Sequence, residues 1–238
     1  MPQPQITEEE IKQSEVLRYL GYRGQRADEA ITEQIRECIH EMLRVIQPRC
    51  VYRRFPLTFL EEDTMEAGGL VLKSRNLSTN LRGCREVIYF AATLGNGVDR
   101  LMTRFGRLNI TKAAILQAVG AAAMEAYCDQ CQRSLEEDLQ AEHLYLRPRF
   151  SPGYGDLPLA IQGRFLDTIE ATKRAGIYLS EGDIMLPEKS VTAIMGVSEV
   201  NTHCRMEGCE ACANTTCAYR RNTIEGYRLK KDIDRKNF

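Results

Sequence analysis

No charge of either sign dominates this chain. Its 32 Lys and Arg residues stand against 33 Asp and Glu, a net charge of -1 over 238 residues. Such balance lacks the electrostatic footprint of a general nucleic-acid binder. Long apolar runs are missing too: nowhere do about eighteen apolar residues follow one another, which excludes a membrane-spanning helix. The opening MPQPQITEEE is polar and acidic where a signal peptide is basic and then apolar, so a cytoplasmic protein is expected. There is no internal repeat. Helical and strand-like stretches alternate without a regular βαβ rhythm, which points to an α+β domain built on an antiparallel sheet. With 43% hydrophobic residues the chain can bury a sizeable core. The expected organisation is a domain over residues 1–200 followed by a short extension over 201–238.

Cysteine is plentiful and clustered. Cys204, Cys209, Cys212 and Cys217 spell C-x4-C-x2-C-x4-C, and five more lie at Cys38, Cys50, Cys84, Cys128 and Cys131. The odd total and the intracellular character argue against a disulfide framework. Thiolates are soft ligands, and short loops let one ion or cluster collect all four. Compactness favours an iron–sulfur cluster, with zinc as the alternative, because zinc ribbons separate two C-x2-C knuckles widely. Downstream, Tyr219 with Arg220, Arg221, Arg228, Lys230 and Lys231 allows a less favoured reading, a small nucleic-acid-binding zinc knuckle.

Periodicity supplies the elements. Thr7 with Glu10 forms a capping-box signature ahead of a helix that Gly21 ends, and Ile31, Ile35, Ile39, Met42, Leu43 and Ile46 give a second, amphipathic one. Residues 50–60 and 86–94 read as strands, the second rich in β-branched and aromatic residues. Gly95 and Gly97 open a helix, but Arg100 stands where a dinucleotide loop needs its third glycine. Residues 111–139 read as one long central helix, apolar nearly all round in its middle. Within it Glu125 either snorkels at the edge or lines a polar pocket, and Cys128 and Cys131 read as packed thiols.

In HLYLRPRFSPGYGDLP, alternation places Leu144 and Leu146 on one side of an extended segment and Tyr145, Arg147 and Arg149 on the other. Pro152 and Gly153 predict a type II turn that returns Tyr154 beside the strand carrying Arg149. An arginine and a tyrosine so placed suit a carboxylate and a flat heterocycle, although Pro-Gly turns are more often structural.

At this passage the chain resembles the activation domain of cobalamin-dependent methionine synthase. The resemblance runs over residues 111–198: the helix ITKAAILQAVGAAAMEAY, the core R-x-x-P-G-Y at Arg149, Pro152, Gly153 and Tyr154, an amphipathic helix over 161–176, and the closing MLPEKSVTAIMGVS. It implies a free-standing form of a domain that binds S-adenosylmethionine and reductively remethylates cobalamin. Arg149 then matches the arginine holding the ligand carboxylate, Tyr154 and Gly153 the same loop, and Glu125 an acidic pocket position. Met195 and Gly196 fall at the last ligand-contacting stretch, where Ile194 and Met195 replace an aromatic pair. A second departure follows Tyr154, where Gly155, Asp156, Leu157 and Pro158 replace Pro-Ala-Cys-Pro. Base-off cobalamin binding uses D-x-H-x-x-G, and neither His40, His143 nor His203 sits in that pattern, so cobalamin is expected on a partner, a methionine synthase or another corrinoid protein. The resemblance thus implies a detached activation subunit of a split methionine synthase, incomplete alone. The four cysteines would relay an electron from a donor such as flavodoxin or ferredoxin. The alternative is a zinc-stabilised regulatory module.

Overall fold

A computed structural model describes residues 4–22 and 27–201. The run Cys204, Cys209, Cys212, Cys217 and the basic tail lie outside the described residues.

The chain enters through a 3-10 turn, Glu8–Glu10, and then α1 (Gln13–Tyr19) and α2 (Glu29–Val45). The capping box at Thr7 and Glu10 forms as expected: the Glu10 carboxylate accepts from the Thr7 amide at 2.9 Å. It caps only that turn, and the single helix expected before Gly21 is broken at Ile11. Asp28 caps α2 by accepting from the Ile31 amide at 2.8 Å. The strand expected over 50–60 divides into β1 (Arg49–Pro56) and β2 (Thr58–Glu61). The break is at Leu57, whose amide donates to Arg85 O at 2.9 Å. It follows Pro56, which has no N–H for the ladder. Next come β3 (Thr64–Ala67), β4 (Leu70–Lys73), α3 (Arg75–Leu81), β5 (Glu86–Thr93), α4 (Asn96–Leu108) and α5 (Ile110–Gln140). The chain then runs through β6 (Tyr145–Leu146), α6 (Gln162–Thr168), α7 (Ala171–Ala175), β7 (Tyr178–Leu179), β8 (Met185–Leu186) and β9 (Ser190–Ser198). The helix expected over 161–176 is interrupted at Ile169 and Glu170, the latter in the left-handed region at φ 55. Among the described residues no helix is long and apolar enough to cross a membrane.

The main sheet is antiparallel with order β1-β5-β9-β6. Its central strands β5 and β9 are covered on both faces, which is why Val87 to Ala92 reads as a continuous apolar run rather than a half-polar alternation. Ile88, Phe90, Ala193 and Met195 face a layer made by α1, α2, α4 and α5. Val87, Tyr89, Ala91 and Ile194 face the small β2-β3-β4 sheet with α3, α6 and α7. The architecture is α+β, as expected from the irregular element order. Gly95 adopts φ 85 as the N-cap of α4.

Candidate functional site

The edge strand β6 does not keep its rhythm. Tyr145 pairs with Ser198 and Leu146 with Val197, but Phe150 bridges to Ile194, so one extra residue enters between them. Such a bulge flips the side chains that follow it to the other face. Arg147 and Arg149 therefore diverge, against the alternation expectation that put them on one side. Arg147 is buried on the small-sheet side, donating to Arg82 O at 3.3 Å. Arg149 turns to the helical side and meets α5.

On α5 it finds Glu125, Asp129 and Gln132, spaced i, i+4 and i+7 and hence on one face. One guanidinium nitrogen donates to Asp129 Oδ1 at 2.7 Å and to Glu125 Oε2 at 3.4 Å; another donates to Gln132 Oε1 at 3.1 Å. Burial works against the charge of Arg149, but Cys128, Asp129 and Glu125 more than offset it, so the guanidinium is held above its ordinary value. The Arg149 side chain is 20% exposed, and those of Glu125 and Asp129 are 43% and 64% exposed. Glu125 thus sits at the helix edge within an ion-paired cluster, joining the two readings that the sequence left open. Beyond it lies Tyr19 of α1, whose hydroxyl is pushed above its ordinary value by burial and by the nearby Glu125 carboxylate. The Arg18 guanidinium stands 4.3 Å from the centre of the Tyr19 ring.

The turn forms as the sequence requires. Tyr154 N donates to Ser151 O at 3.0 Å across Pro152 and Gly153, and Gly153 has φ 82. It returns Tyr154 edge-on to Phe150, ring centres 5.6 Å apart, and leaves the tyrosine 48% exposed. The altered residues after it have a structural task. The Asp156 carboxylate accepts from the Ser74 hydroxyl, from Arg75 N at 2.8 Å and from Asn76 N at 3.2 Å, tying the loop to the start of α3. Gly155 passes so close that a Cβ there would lie 2.6 Å from Asn76 Nδ2.

Met195 and Gly196 lie within the sheet. Met195 is fully buried among the helix-facing side chains. A Cβ on Gly196 would meet Cys84 Sγ at 2.6 Å, Leu81 at 2.8 Å and Arg147 at 2.9 Å, and its carbonyl already accepts from Arg147 N. The structure brings together Arg149 and Glu125, and separately Gly153 and Tyr154 in one turn. Asp129 and Gln132 were missed by sequence reasoning. Their spacing from Glu125 was visible, but nothing in the chain said that an arginine would arrive on that face.

The cluster of one partly buried guanidinium and two carboxylates has the charge pattern of a reader of amino-acid zwitterions. The arginine suits an α-carboxylate, and the acids suit an α-ammonium. No family profile matches the chain, and no curated protein matches it. Among solved structures, a crystal structure of the MetH reactivation domain bound to AdoHcy superposes with a TM-score of 0.57 at 18% identity, covering 75% of this chain and 71% of that one. The fold is reactivation-domain-like. At that identity the likeness concerns the fold. Among the described residues no three His, Cys, Asp or Glu side chains are grouped to hold a metal ion.

Proposed function

We propose that this chain is a detached activation subunit of a split cobalamin-dependent methionine synthase, binding S-adenosylmethionine to remethylate a cobalamin carried by a partner. The observation that carries this reading is Arg149 held against Glu125 and Asp129 on α5. A reactivation-domain-like fold supports it, the solved relative being bound to AdoHcy.

In this reading Arg149 takes the ligand carboxylate in place of the exposed Asp129, while Glu125 and Asp129 neutralise the ammonium. Gly153 and Tyr154 present the turn, with the exposed ring of Tyr154 available to stack on a flat heterocycle. Met195 and Gly196 serve from inside β9, where the Gly196 carbonyl accepts from Arg147 N, two residues before Arg149. When bound, S-adenosylmethionine supplies the methyl group and the partner's corrinoid accepts it. This chain's residues bind and orient the donor, which is where most of such catalysis lies. The one electron required comes from a donor such as flavodoxin or ferredoxin. Cys204, Cys209, Cys212 and Cys217 are proposed to hold an iron–sulfur relay for it, within an extension over 201–238 that follows the domain.

The test is equilibrium binding of S-adenosylmethionine to the wild type and to Arg149→Ala, followed by reductive remethylation of a cobalamin-loaded partner. We expect saturable binding that Arg149→Ala abolishes while its circular dichroism is unchanged. Retained affinity in the variant would refute the site, and no remethylation with any corrinoid protein would refute the partner. A colourless protein with one zinc per chain would replace the relay by a structural clip.

A further inference from the structure

Cys50 of β1 and Cys131 of α5 lie 81 positions apart in the chain, yet their thiols are in hydrogen-bond contact. Tyr127, fully buried one turn earlier on α5, directs its hydroxyl at both sulfurs. Contact with Cys131 first, and with Tyr127 after it, holds the Cys50 thiol below its ordinary value despite burial. Cys131 is held above it, the proton staying on that sulfur.

The pair is reachable. Both cysteines line a pocket of about 610 Å³ that opens between β1 and α5, with Glu137, Asp138 and Arg174 at its rim. Cys50 is partly exposed there, and Cys131 is buried behind it. The other described cysteines are buried, and their thiols are held high. Burial pushes Cys38 up to about 11 and Cys128 up to about 12, and Cys84 is likewise raised by burial. A low-lying, accessible thiol backed by a second thiol is the arrangement of a redox-active pair, whereas buried high-pKa thiols are inert.

We propose that Cys50 and Cys131 form a redox-active dithiol that closes to a disulfide in this pocket, with a low-molecular-weight disulfide as the oxidant. The Cys50 thiolate attacks one sulfur of that disulfide, forming a mixed disulfide and releasing one thiol. Cys131, giving up its proton, then attacks the Cys50 sulfur and releases the second thiol. Two protein thiols are oxidised and one small disulfide is reduced to two thiols, which carry the two protons. The bond ties β1 to the turn of α5 that carries Asp129 and Gln132. The proposal does not depend on what those residues bind.

The test uses the full chain incubated with oxidised glutathione, alkylated, digested with trypsin and sequenced by mass spectrometry. The expected product links the peptide 50–53 to the peptide 113–133, with fragmentation placing the bond at Cys131 rather than Cys128. In Cys131→Ser the Cys50 peptide should instead stop at a stable glutathione adduct. The non-reduced wild type should melt higher than the reduced one, and Cys50→Ser should lose that difference. A wild type whose Cys50 ends as the glutathione adduct, stays unmodified, or links to Cys128 or a C-terminal cysteine overturns the proposal.

Discussion

Asp156 carries three hydrogen bonds on one exposed carboxylate, and two of them satisfy amides in the first turn of α3. Helix starts leave such donors without partners, so removing the acceptor is costly. Asp156→Ala should lower stability by about 1 kcal/mol, measured by urea denaturation. The hydroxyl of Ser74 first, and the Arg75 and Asn76 amides after it, lower the Asp156 carboxyl below its ordinary value. A depressed folded value stabilises above the unfolded carboxylate pKa of about 3.9, and the contribution is lost as pH falls through the folded value. The wild type should therefore lose its advantage over Asp156→Asn as pH drops below about 4, read from denaturation curves at several pH values. Arg149→Lys separates charge from shape. It keeps the positive charge but lacks the planar fork that serves two acceptors at once, so S-adenosylmethionine affinity should fall about tenfold in titration calorimetry. Each of these residues was legible singly. Arg149 and Tyr154 stand out in the sequence by their motif, while Asp156 looked only like a departure from it.

Helix α4 shows how one element answers to two environments. A Cβ on Gly97 would lie 2.1 Å from Val45 O at the end of α2, whereas one on Gly106 would meet nothing within 4 Å. Gly97→Ala should push α4 from α2 and cost about 2 kcal/mol. Gly106→Ala, in the same helix, should stabilise by about 0.5 kcal/mol, because open helix positions prefer alanine. Thermal denaturation of both checks the opposite signs. The long periodic elements were legible: α2, β5 and α5 fall within a few residues of their sequence boundaries, because one dominant period ran through each. The failures were local interruptions. The turn Glu8–Glu10 ahead of α1, the left-handed Glu170 between α6 and α7, and the bulge after Leu146 each hinge on where a neighbouring element ends. No periodicity in the chain records that.

At the scale of the molecule, the described residues build two apolar clusters, one on either side of β1-β5-β9-β6. If the four C-terminal cysteines bind metal, its removal by a chelator should leave the far-ultraviolet circular dichroism and the melting of this core unchanged, while the visible or zinc signal is lost. A melting point that falls with the metal would show that the extension is part of the fold.

Composition and period by themselves determined the α+β class, the buried α5 and the existence of the apolar strand β5, because burial leaves a local imprint at every residue. The glycine in the Pro-Gly turn was equally local, since a positive φ is a property of one residue. What only the tertiary structure decided is which distant groups meet. A one-residue bulge on an edge strand sends Arg149 to Asp129 rather than to the face of Arg147, and the packing of β1 against α5 brings Cys50 to Cys131. Register and layer packing set those encounters, and neither is written into the residues on one side of a contact alone.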